Sequence, residues 1–138
     1  MEVNMIEEMV LNKCLEYLDE ISSHEYEECY GHPPRVYYID CGIGIERNGE
    51  YVMADLQKTY KYEAGKLEIV ETGTKNATQP VSRMYFAEGH AEFGTNSDSS
   101  VAFVNYLVGP RYGRGFSFEI IEDNEGKHLG KEKLLWVS

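Results

Sequence analysis

The hydrophobic period of the chain changes once, and the change divides it in two. Near the start, Val3, Ile6, Met9, Val10, Cys14, Tyr17, Leu18 and Ile21 recur mostly three and four residues apart. That spacing lays one apolar stripe along a helix, and the acidic residues fall largely off the stripe. The pattern predicts one amphipathic helix over about residues 3–22. Ser22-Ser23 follows the last apolar position and reads as its stop. Residues 22–34 (SSHEYEECYGHPP) mix acids, tyrosines, a glycine and two prolines, and read as a loop.

From Arg35 the period becomes two. Tyr37, Ile39, Cys41, Ile43 and Ile45 alternate with Val36, Tyr38, Asp40, Gly42, Gly44 and Glu46. Asn48-Gly49 then supplies a tight hairpin, because both residues tolerate positive φ. In that register Arg47 faces Glu50, Ile45 faces Val52, Ile43 faces Ala54 and Cys41 faces Leu56. The pattern weakens where Ile39 meets Lys58 and recovers where Tyr37 meets Tyr60. A second turn is expected near residues 63–66, a polar loop over 72–82 and a strand over 83–93. Further strands are expected over 101–108 and 116–120, with a short one over 134–137 that carries Trp136. Turns separate them at 95–100 and 123–126, and a Gly/Pro loop spans 109–115. Together these imply an α+β fold: an N-terminal amphipathic helix packed on a curved antiparallel sheet of about six or seven strands. The 138 residues suit a single domain, with an acidic helix and loop over 1–34 and the sheet over 35–138.

Charge alters this picture at one end. The net formal charge is −11, yet residues 1–30 hold nine acids against the single base Lys13, a net of −8. The remaining residues hold fifteen acids and twelve bases. Such acidity argues against direct binding to nucleic-acid phosphates or to an anionic membrane. No long apolar run suggests a transmembrane helix. The first residues alternate acids with apolar side chains, unlike a signal or transit peptide. Three cysteines without a framework spacing favour a reducing, cytoplasmic setting.

The acidic surface is the leading functional candidate. Glu7, Glu8, Glu16, Asp19, Glu20, Glu25, Glu27 and Glu28, with Tyr26 and Tyr30, could imitate a nucleic-acid backbone. They would block a basic partner such as a nuclease or another nucleic-acid-binding enzyme, with electrostatic steering speeding the encounter. This profile is similar in composition to phage-encoded inhibitors of host defence and to immunity proteins. The bland alternative is a solvated helix face that keeps the protein soluble. Edge strands and tyrosines leave a homodimer open as well.

Three other groups carry weaker chemistry. Arg111, Tyr112 and Arg114 sit in an acid-free glycine-rich loop, suited to an anionic, nucleotide-like ligand. Pairing with local acids such as Glu119 is the structural alternative. Glu88, His90 and Glu92 share one face of a strand, where carboxylates could orient an imidazole as a base. A solvent-facing strand explains them equally. His24, Cys29 and His32 have zinc-binding residue types but lack paired ligand units, while Cys14 and Cys41 read as core thiols. No cofactor or nucleophile motif is present, so the balance leans away from an enzyme.

Overall fold

The computed structural model describes residues 5–32, 35–70, 88–107 and 113–137, with backbone alone for 21–23, 25, 29, 30 and 88. Helix α1 (Met5–Tyr17) continues through a π-helical turn (Leu18–Ser22) into α2 (Ser23–Tyr30). The expected stop at Ser22-Ser23, and the loop expected after it, are therefore corrected. Serine is only mildly unfavourable in a helix. No glycine or proline interrupts the chain before Gly31. Gly31 ends the helix at φ 83°, its N–H donating to the Glu27 carbonyl at 2.7 Å. The π turn takes one extra residue and rotates the helix beyond it. Leu18, the first residue of that turn, and Tyr26 in α2 are both fully buried.

Seven strands form one open sheet: β1 (Val36–Arg47), β2 (Glu50–Glu63), β3 (Lys66–Val70), β4 (Glu88–Thr95), β5 (Val101–Leu107), β6 (Gly113–Asp123) and β7 (Gly126–Val137). Their spatial order is β3-β2-β1-β4-β5-β6-β7. Every neighbouring pair is antiparallel except β1 and β4, which run parallel. A parallel pair needs a long crossover. Here the connection from β1 to β4 includes the β2 and β3 strands, and residues 71–87 between β3 and β4 lie outside the described residues. β7 is longer than expected, and residues 113–115 belong to β6 rather than to a loop.

The β1–β2 hairpin follows its sequence near the turn and departs from it farther on. Asn48 and Gly49 have φ 56° and 86°. Arg47 faces Glu50 and Ile45 faces Val52, as the alternation predicts. Two register shifts then leave Ala54 and Gln57 as extra residues on β2, so Ile43 faces Asp55, Cys41 faces Lys58 and Ile39 faces Tyr60. The bulges lie between Cys41 and Gly42 and between Ile43 and Gly44. The expected pairings of Ile43 with Ala54, Cys41 with Leu56, Ile39 with Lys58 and Tyr37 with Tyr60 are therefore corrected, and Tyr37 faces Tyr62. With the bulges, two buried residues, Ile39 and Tyr60, meet instead.

One sheet face receives the helical segment. Val10, Leu11, Cys14, Tyr17 and Leu18 pack there with Ile39, Cys41, Phe93, Val104, Phe116 and Phe118. Burying each large apolar side chain contributes roughly 1.5–3 kcal/mol. Tyrosines tie the two layers together. Tyr17 stacks on Phe116 with ring centres 4.5 Å apart, and its hydroxyl donates to Glu132. The Tyr60 hydroxyl donates to Glu7, and the Tyr62 hydroxyl donates to Asp19 at 3.2 Å.

The opposite face curls inward. β2 and β5 are separated by two strands, about 14 Å in a flat sheet. Yet Tyr51 of β2 stacks on Phe103 of β5, 5.8 Å between ring centres at 10°. Asn105 of β5 also donates to the Tyr51 carbonyl at 2.8 Å. The bend passes through close backbone contacts. A Cβ on Gly94 would lie 1.8 Å from the Gly42 carbonyl oxygen, so only glycine fits there.

Candidate functional site

The helical segment sorts its carboxylates into two sets. Glu7 is drawn into the structure: Lys58 Nζ lies 3.0 Å from one of its oxygens, and Tyr60 donates to the same oxygen. Glu16 pairs with Lys13 at 3.2 Å, one turn away. Asp19 accepts from Tyr62. Glu8, Glu20, Glu27 and Glu28 are exposed, and none has an ion pair among the described residues. Tyr26 is fully buried, so it anchors α2 rather than offering a contact surface. The side chains of Glu25 and Tyr30 lie outside the described residues.

Burial governs the groups under the helix. Cys14 is pushed above the ordinary thiol range by burial first and by nearby Cys41 second. Burial, with Glu7 next, pushes Cys41 up to about 12. Both thiols are free and buried. Tyr60 is raised by burial and by its bond to Glu7, and Tyr17 by burial and by its bond to Glu132. These groups stay protonated near neutrality and serve packing.

The inward-curving face carries the second polar group. Parallel pairing sets Tyr38 beside His90 and Asp40 beside Glu92. The Tyr38 and His90 rings lie 6.1 Å apart. Thr59 donates to Asp40 at 2.9 Å, and Asn105 donates to Glu92 at 2.8 Å. His90 and Glu92 thus share a face, while the Glu88 side chain lies outside the described residues. Farther along, a groove of about 690 Å³ runs beneath the β1–β2 hairpin, lined by Glu46, Tyr51, Ser117, Glu119, Lys131 and Lys133 among others.

Arg114 does not join that face. It pairs with Tyr106, whose ring is buried on the helix side. Arg111 and Tyr112 lie outside the described residues. His24 is exposed, His32 packs edge-on to Tyr26 at 5.9 Å, and the Cys29 side chain is not described. No group of three or more potential ligands among the described residues is arranged to hold a metal ion. No helix among them is long and apolar enough to cross a membrane.

Sequence reasoning passed over Asn105 and Trp136, which the structure brings together on the inner face. The signal existed. Asn105 is the one polar residue within the apolar run Val101–Leu107, and Trp136 is the only tryptophan. Compared with protein-family models, curated proteins and solved structures, the chain has no match.

Proposed function

We propose that the protein is a small interaction module, of an inhibitor or immunity type, that blocks a basic nucleic-acid-binding partner through its helical segment. One observation carries the reading. Among the described residues, the chain's bases pair with Glu7 and Glu16 of this segment alone, and Glu8, Glu20, Glu27 and Glu28 are exposed with no ion pair among those residues. Uncompensated carboxylates on a rigid helix create a local negative field that steers a basic groove into contact. The acids already engaged inside the fold contribute less to that surface.

The test reverses the four exposed carboxylates to lysine and leaves Glu7, Glu16 and Asp19 intact. The immobilised protein should retain from a native lysate a basic nucleic-acid-binding protein that high salt releases. Free protein should compete with duplex DNA for it. The quadruple reversal should abolish both effects at unchanged circular dichroism. Retention that survives the reversal, or a retained partner indifferent to DNA, would overturn the reading.

A further inference from the structure

The groove of about 690 Å³ on the inner face of the sheet has walls of opposite charge. Strand pairing fixes which side chains share that face. Tyr51 stacks on Phe103, and Glu46 lies opposite Tyr51 in the hairpin, so both point inward. Phe103 pairs with Ser117 and Ser117 with Lys133, which carries the same face from β5 across β6 to β7. Val101 and Glu119, paired two residues farther along, complete the floor. The hairpin is thus one wall, bearing Glu46, and β7 is the other, bearing Lys131 and Lys133. Glu46, Glu119, Lys131 and Lys133 are all exposed, and among the described residues none of the four forms an ion pair. Glu132 also lines the groove, but its carboxylate is engaged from the helix side by Tyr17.

This sorting of charge sets the chemistry of an occupant. The acids stand on the hairpin and the floor, the bases stand on β7, and space rather than contact separates the two signs. An anion drawn to the lysines meets repulsion from Glu46 and Glu119. A cation drawn to the acids meets repulsion from Lys131 and Lys133. A molecule that carries both signs answers both, through charge-assisted hydrogen bonds at each end. Tyr51, Val101 and Leu135 add apolar lining against which an uncharged side chain can pack. The volume suits a small molecule. An ammonium, a carboxylate and an apolar side chain together describe an amino acid or a short peptide with free ends. Each added residue moves those ends apart by up to about 3.6 Å, so the spacing of the walls selects a length.

We propose that the groove under the β1–β2 hairpin binds a zwitterion of the amino-acid class, its ammonium toward Glu46 and Glu119 and its carboxylate on Lys131 and Lys133. This site is separate from the acidic helical surface, so either can fail alone. Phenylalanine, glycylphenylalanine and diglycylphenylalanine would be titrated into the intact nitrogen-15-labelled protein. Phenylethylamine and phenylpropionate, which carry a similar ring with a single charge, would be titrated beside them. At least one zwitterion should shift the backbone amide resonances of Tyr51, Ser117 and Lys133 saturably at millimolar concentration. The length that binds best separates a free amino acid from a peptide. Both singly charged relatives should bind about tenfold more weakly. Glu46→Gln should weaken the zwitterion about tenfold while strengthening phenylpropionate. Lys131→Gln with Lys133→Gln should weaken the zwitterion while strengthening phenylethylamine. Loss of structure alone would not exchange the preferences in this way. All three side chains are exposed, and the wild-type comparison stands alone if a variant does not fold. Four results would overturn the proposal: no saturable shift with any of the three zwitterions, equal affinity for a singly charged relative, saturable shifts confined to residues outside the groove, or folded variants that bind the zwitterion undiminished.

Discussion

Glu7 and Glu8 are adjacent, chemically identical and equivalent in any reading of charge, yet the fold gives them opposite roles. Glu7 holds Lys58 and accepts from Tyr60 at the helix–sheet boundary, whereas Glu8 is exposed. The partners of Glu7 lie 51 and 53 residues away in sequence. No local pattern could separate the two acids, because the difference is made entirely by tertiary contact. A hydrogen bond to a charged group contributes roughly 1.5–3 kcal/mol, while an exposed substitution stays within about 0.5 kcal/mol. Glu7→Ala should therefore lower unfolding stability by about 2 kcal/mol, and Glu8→Ala should leave it nearly unchanged. Urea titration of the two variants checks this. Equal effects would mean that the contacts of Glu7 are dispensable.

At the level of elements, what was legible followed from local chemistry. The apolar stripe of α1, the Asn48-Gly49 turn and the alternation of the strands are all written within a few residues. The continuation into α2 was hidden because the serine pair resembles a stop while the true terminator, Gly31, lies eight residues beyond Ser23. The parallel pairing of β1 with β4 was hidden because alternation marks a strand but does not name its neighbour. The meeting of Asn105 with Trp136 needs three strands in register, which no spacing reveals. Two glycines test the separate reasons glycine is needed here. Gly31 has open space around it but φ 83°, so Gly31→Ala should cost only backbone strain, about 1–2 kcal/mol. Gly94→Ala drives a methyl group into the Gly42 carbonyl and should cost about 3 kcal/mol or more. Denaturation midpoints should rank them in that order. The reverse order would mean that the sheet bend relaxes easily.

For the whole molecule, the layer between helix and sheet holds its protons unusually tightly. Cys14, Cys41, Tyr17 and Tyr60 all lie there, and all are raised above their ordinary values of 9.0 for the thiols and 10.0 for the phenols. Burial is the first cause in each case. The unfolded chain releases these protons at the ordinary values, while the folded chain still retains them. Above those values the unfolded state binds fewer protons, so unfolding stability falls as pH rises. The stabilisation is fully present below about 9 and is lost progressively through the interval to the raised values, which for Cys41 ends at about 12. Rising pH also adds charge to a chain that already carries −11, so long-range repulsion offers a competing explanation. Salt separates the two, because it screens exposed charges within about 10 Å at 0.1 M but reaches buried groups poorly. Denaturant midpoints should be flat near neutrality and fall steeply in the alkaline range, and added salt should leave most of that fall in place. Replacing both Cys14 and Cys41 with alanine should make the alkaline decline shallower, though the starting stability is lower. A decline that salt abolishes would place its origin on the acidic surface rather than in the layer between helix and sheet.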